Sequence, residues 1–173
     1  LDAVADREGF LVAYPEGMGK RWNDGRPRLP REAPAVDDVS FLVDVVDHVA
    51  KVVPVDRDRV YVTGMSNGAM MSYRLAAERA DVFAAVAGVA GGVTAATAAT
   101  KVPPARPIPV LVLVGTADPL VPYGGGQVVV LGQRRGEVLS AQDSMRFFVA
   151  RNGAAEVGAT TDLEDPDQGD GTR

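Results

Sequence analysis

A chain of 173 residues, 46% of them hydrophobic and with a net charge of −5, can bury a sizeable core as one globular domain. Its arginines are scattered rather than gathered into a stripe, so nucleic acid is not an expected partner. The absence of cysteine excludes disulfides and thiolate metal sites, and no apolar run approaches the ~18 residues that cross a bilayer.

The chain starts at Leu1 directly in "LDAVADREGF", the pattern of a short helix already under way, with no leader peptide in view. "GFLVAYPEG" (9–17) is an apolar run closed by Pro-Glu-Gly, which predicts a buried strand and a turn. Residues 18–36 hold prolines, glycines and arginines without periodicity, so they form a long surface loop that carries Trp22. Over 37–53 Val39, Leu42, Val45, Val46 and Val49 recur at helical spacing, with Asp37 and Asp38 at the positive end of the helix. "RVYVTG" (59–64) is a strand, 67–80 a helix, and 82–92 a buried strand running into a glycine-rich loop. A low-complexity connector (94–107) leads to "IPVLVLVGTADPLVPYGGG" (108–126), a strand followed by a loop holding Asp118. Ser140 and Asp143 form a capping pattern for a last helix that stops at Asn152-Gly153. Apolar strands alternating with amphipathic helices predict an α/β fold, a mostly parallel sheet with helices on both faces. The partition is one α/β domain over 1–153, incomplete as given, and a polar tail over 154–173 leading into a missing strand.

"VYVTGMSNGAMMSYRLA" (61–77) contains Gly64-Met65-Ser66-Asn67-Gly68, the G-x-S-x-G pattern, with strand before and helix after as that motif demands. A serine in so sharp a turn needs small residues two positions to either side, and the glycines supply them. The N–H of Asn67, at the start of the following helix, is then a candidate oxyanion donor. Asp118 falls just past a later apolar strand, about fifty positions on, where the order serine then acid places a triad carboxylate. Alone, Asp118-Pro119 also reads as a turn; beside the elbow, the catalytic reading is preferred. The base is the missing member. His48 is the one histidine, but it precedes Ser66 and sits on the polar border of a covering helix, four residues after Asp44. We read it as a surface histidine.

These segments, with "WNDGR", "VDDVSFLVDVVDHV" and "GTADPLVPYGGG", resemble the polyhydroxybutyrate depolymerase esterases, α/β-hydrolases related to feruloyl and acetylxylan esterases. The resemblance runs from Leu1 to about Gly153. It implies that Ser66 is the nucleophile and Asp118 the triad acid. It also implies that the triad histidine lies in a stretch after Arg173, and that the second oxyanion donor comes from a His-Gly turn before Leu1. On that view the chain is a fragment trimmed at both ends and close to inactive alone. Val114 stands where many relatives carry histidine. No cofactor or metal is implied, the substrate is a polyester or a plant cell-wall ester, and the compartment is outside the cytoplasm. Two readings are open for Trp22, a pocket wall or a loop anchor. Tyr123, with Gly124–Gly126, either lines the site or forms a turn. Met65, Met70 and Met71 are read as core filler.

Two other site types are excluded. "GMSNGA" lacks the second glycine of a dinucleotide fingerprint, and "DPDQGDG" (165–171) does not place its acids as a calcium loop requires. A reading of another class is a hydrolase-like protein that binds an ester or sugar without cleaving it; its mark would be a natural stop after Arg173. Oligomeric state is not legible.

Overall fold

The computed structural model describes residues 1–30, 32, 34–155, 158, 161 and 163. Its centre is a parallel sheet of three strands in the order β1 (Tyr61–Met65), β2 (Ala85–Val89), β3 (Val110–Leu113). The register is direct, Met65 opposite Val89 and Val89 opposite Leu113, so all three strands end level. Alternation then sorts the side chains. Val62, Val86, Val110 and Val112 point inward to the core, while Tyr61, Thr63, Met65, Leu111 and Leu113 face outward and are exposed.

The inner face is covered by α3 (Asn67–Glu78), whose Met71, Tyr73, Leu75 and Ala76 lie in the core, and by Phe148 of α5 (Ala141–Arg151). Tyr73 fills the space under β2. Its hydroxyl donates to the Gly88 carbonyl at 3.2 Å, and burial pushes its pKa up to about 12. From α2 (Asp38–Val52), Val39, Leu42 and Val46 of the expected stripe pack on this core, joined by Val43. Helices on both faces were expected; among the described residues the cover lies on the inner face. A shallow depression of about 390 Å³ on the outer face, lined by Tyr61, Thr63, Ala85 and Leu111, belongs to the start of the strands.

Three expectations change. After α1 (Asp2–Glu8), residues 10–17 run without joining a ladder, and Phe10, Leu11 and Tyr14 are exposed. The run has strand composition, but no described strand offers it an edge. The connector over 94–107 contains a short helix, α4 (Ala95–Ala98), capped by the Thr94 hydroxyl, with Thr94 and Thr97 buried. Between β3 and α5 stands an antiparallel hairpin, β4 (Gly126–Val130) and β5 (Gln133–Val138), turned by Leu131 and Gly132, both at positive φ. The calcium-like segment (165–171) lies outside the described residues, as does most of the C-terminal tail.

The start of α2 separates its two acids. Asp37 is the N-cap, accepting from the Ser40 N–H at 3.0 Å and from its hydroxyl at 2.6 Å, whereas Asp38 is buried and serves the loop before it. The Ser40 hydroxyl, then its N–H, hold the Asp37 carboxyl below its ordinary pKa. Stability from a depressed carboxylate is present above its unfolded pKa, ~3.9, and is lost as pH falls through the folded value. Asp37→Ala should therefore cost about 1 kcal/mol at pH 7, with the difference shrinking toward pH 2. Urea titrations of both proteins at the two pH values measure this.

Candidate active site

Ser66 follows the last residue of β1 and adopts φ 54, ψ −116, a combination that L-residues avoid. Its N–H is held by the Val89 carbonyl at 2.8 Å, and its carbonyl accepts from Met70 at 3.1 Å, so the turn is fixed on both sides. The side chain is exposed, and its hydroxyl makes no hydrogen bond among the described residues. A helix N-cap serine ordinarily spends its oxygen on the helix; this one keeps it available.

The glycine spacing is explained unequally. A Cβ on Gly64 would meet the Gly68 backbone at 2.4 Å, so strand and helix can cross only over a bare Cα. A Cβ on Gly68 would meet nothing within 4 Å. The steric demand read from the motif falls on Gly64. The adjoining turn after β2 is equally close, since a Cβ on Gly91 would lie 2.7 Å from the Ala69 Cβ and 3.0 Å from the Ser66 carbonyl.

Asp118 stands on the same rim, two strands away. The link is continuous: Ser66 bonds to Val89, the next residue Ala90 donates to Leu113 at 2.8 Å, and the chain after β3 carries Asp118. With strands ~4.8 Å apart, the ends of β1 and β3 are separated by roughly 10 Å. The Asp118 Oδ1 accepts from the N–H groups of Leu120 (2.8 Å) and Val121 (3.0 Å), which orients the carboxylate. Its Oδ2 has no partner among the described residues and is available to an imidazole N–H. The turn reading and the catalytic reading thus use different oxygens.

Asn67 is the first residue of α3, where the main-chain N–H has no acceptor within the helix. Its side chain was not singled out in the sequence, yet it is fully engaged. Oδ1 accepts from the Trp22 N–H at 2.7 Å, and Nδ2 donates to the Trp22 carbonyl at 3.1 Å and to Asp24 Oδ2 at 2.5 Å. Asp24 is fully buried and paired with Arg26, which is 8% exposed, through Nε at 3.0 Å and Nη2 at 2.6 Å. The neighbouring Asn23 N–H donates to buried Asp38 at 2.6 Å, and the Asn23 carbonyl accepts from Arg74 of α3 at 2.7 Å. Trp22 stacks on Phe41, ring centroids 6.4 Å apart, and packs against the core. Its ring anchors the loop, and its backbone bonds the side chain of Asn67, the residue next to Ser66.

Further along this loop, Glu32 bonds both Arg21 and Arg135 of β5, tying the loop to the hairpin. Partial burial raises the Glu32 pKa, but the Leu29 N–H and then the two guanidiniums outweigh it, and the carboxyl lies below its ordinary value. Tyr123 is 36% exposed, and its carbonyl accepts from Ala141 of α5 at 2.9 Å. In the turn beside it, Gly125 has φ +77 and passes so near Ser140 N that a Cβ would lie 2.5 Å away. His48 is exposed on α2, and its imidazole bonds no described residue, Asp44 included.

The family model described as Esterase PHB depolymerase matches residues 1–164. The protein named "Putative esterase NocK" from Nocardia uniformis subsp. tsuyamanensis is 45% identical over 126 residues, covering 72% of this chain and 36% of that protein. Feruloyl esterase B of Piromyces equi is 32% identical over 155 residues, 87% of this chain and 28% of its own length. Feruloyl esterase C of Emericella nidulans is 28% identical over 171 residues, 99% of this chain and 51% of its own length. The chain therefore spans about half, or less, of the length of these relatives.

Proposed function

We propose, from the premise that this chain belongs to the PHB depolymerase esterase family, that the protein carrying it is a serine esterase working through an acyl-enzyme. The observation that carries this reading is the strained, uncapped Ser66 at a strand-to-helix turn, with its oxygen free. Ser66 Oγ attacks the ester carbonyl while a histidine takes its proton, and the Asn67 N–H stabilises the oxyanion. Collapse of the intermediate breaks the ester C–O bond, and the histidine returns the proton to the departing alcohol. Water then releases the acid by the same steps. Asp118, through Oδ2, orients the histidine and stabilises its charged form.

The histidine is outside these 173 residues, because His48, the only one present, lies on α2 and not on the strand-end rim. The isolated chain is accordingly expected to be nearly inactive. Tyr123, partly exposed a few residues past Asp118, lines the acyl side in this reading, and the Trp22 loop borders it through Asn67. The main substrate reading is a polyhydroxybutyrate-type polyester. The alternative is a feruloyl or acetylxylan ester of plant cell walls, and the feruloyl esterases among the relatives favour the feruloyl ester. On the family resemblance we place the enzyme outside the cytoplasm; no described helix is long and apolar enough to cross a membrane.

The test is hydrolysis by the full-length protein of polyhydroxybutyrate, methyl ferulate, acetylated xylan and p-nitrophenyl acetate, with fluorophosphonate labelling mapped by mass spectrometry. We expect the label on Ser66 and acid release from at least one ester. Hydrolysis that persists in Ser66→Ala, or ligand binding with no turnover of any ester, overturns the reading.

A further inference from the structure

We propose that the Asn67 side chain is a positioning group for ester cleavage, clamped by the buried Asp24–Arg26 pair, so that the Trp22–Arg26 loop sets the aim of the oxyanion donor. The proposal rests on the esterase reading above. It starts from a conflict at the head of α3. Ser66 occupies the N-cap position but makes no capping hydrogen bond, and its backbone sits at φ 54, ψ −116. A first turn with a strained, non-capping residue relaxes unless its surroundings hold it.

The holding contact comes from the adjacent residue. The Asn67 amide has two N–H bonds and spends both, on the Trp22 carbonyl and Asp24 Oδ2, while its oxygen takes the Trp22 N–H. One planar amide therefore fixes its own orientation against a loop 45 residues earlier in the chain, and with it the direction of the Asn67 main-chain N–H.

The loop is a rigid abutment. Asp24 Oδ2 accepts from Asn67 and from both Nε and Nη2 of Arg26, and Asp24 Oδ1 accepts from the Arg26 N–H at 3.0 Å. The Asp24 carbonyl accepts from the buried Thr94 hydroxyl at 3.0 Å. The Arg26 stem packs against Gly136 of β5, where a Cβ would come within 3.0 to 3.2 Å of it. A buried ion pair is a poor source of net stability, and its usual merit is to specify one arrangement. Here that arrangement ends on the side chain of the residue next to Ser66. Because the donor acts only on the developing oxyanion, a loosened clamp should slow the chemical step and leave substrate binding in place.

The test uses the full-length protein, an aryl ester, and a boronic acid that forms a tetrahedral adduct with the serine. Asn67→Ala keeps the main-chain N–H, so any loss reports the side chain. We expect kcat to fall about 10- to 100-fold with KM within about threefold, and boronate affinity to fall by the same factor as kcat. Asp24→Asn keeps the shape and an acceptor oxygen for Asn67 but drops the charge, and a smaller kcat loss, about 3- to 10-fold, is expected. If Asn67→Ala does not fold, Asp24→Asn decides. A kcat within twofold of the parent in either folded variant, or a loss confined to KM, overturns the proposal, even if the melting temperature drops. Parent hydrolysis that survives Ser66→Ala refutes the esterase reading instead.

Discussion

Ser66→Gly is expected to abolish ester cleavage and raise the melting temperature in the same variant. If Ser66 is the nucleophile as proposed, its loss lowers kcat by roughly 10⁴- to 10⁶-fold, since the remaining groups of a serine hydrolase supply only a residue of the catalysis. The stability gain comes from the backbone. At φ 54, ψ −116 a Cβ is strained, by an amount on the order of 1–3 kcal/mol, and glycine removes that strain. Glycine returns part of it through the greater freedom of the unfolded chain, roughly 0.5–1 kcal/mol. The net is about 1 kcal/mol, or roughly 2–4 °C. Ser66→Ala is the control, as inactive as the glycine variant but with its Cβ, and hence the strain, retained. Scanning calorimetry of the three proteins separates them; equal melting temperatures for glycine and alanine would mean that the turn stores no strain.

Which parts of the site were readable depends on how local their demands are. The elbow was legible because its demand is steric and local: Gly64 must pass under the Gly68 backbone, and strand and helix flank the serine in sequence as in space. Asp118 was singled out on other grounds, as a short acid one loop past an apolar strand, and its part in a triad is the proposal made above. The clamp was not legible. Asp24 and Arg26 lie in a polar, proline-rich stretch that reads as surface, and their burial depends on Asn67, Thr94 and Gly136, all far along the chain. Only its length and its tryptophan marked the loop as unusual.

The fold divides likewise. Strands β1, β2 and β3 announce themselves as apolar runs between helices, and their level register follows from direct parallel pairing. Residues 10–17 have the same composition but no ladder, because a strand needs an edge as well as a pattern. The hairpin failed in the opposite sense. β5 is polar, "QRRGEV", and the turn is Leu131-Gly132, with leucine at φ 51, rather than the Asn-Gly that signals such a turn. Its Arg135 bonds Glu32 and its Gly136 receives Arg26, so the least readable strand braces the least readable part of the site.

Asp118→Asn should separate catalysis from folding at the other end of the rim. Asparagine keeps an oxygen where Oδ1 now accepts the Leu120 and Val121 N–H groups, so the turn after β3 survives and the melting temperature should stay within about 1 °C. What changes is the other end of the carboxyl. In the proposed triad Oδ2 accepts the imidazole N–H and stabilises the imidazolium; an amide NH₂ there is a donor, which favours the wrong tautomer and supplies no negative charge. The expected loss in kcat is roughly 10⁴-fold, with KM little altered. Asp118→Ala removes both functions and should lose the turn as well, adding instability to inactivity. Steady-state kinetics and thermal unfolding on the two variants distinguish the cases. If Asp118→Asn retained more than about a tenth of the parent kcat, the acid would have to be sought elsewhere on the rim, and Asp118 would be left as the turn residue that its two backbone bonds already make it.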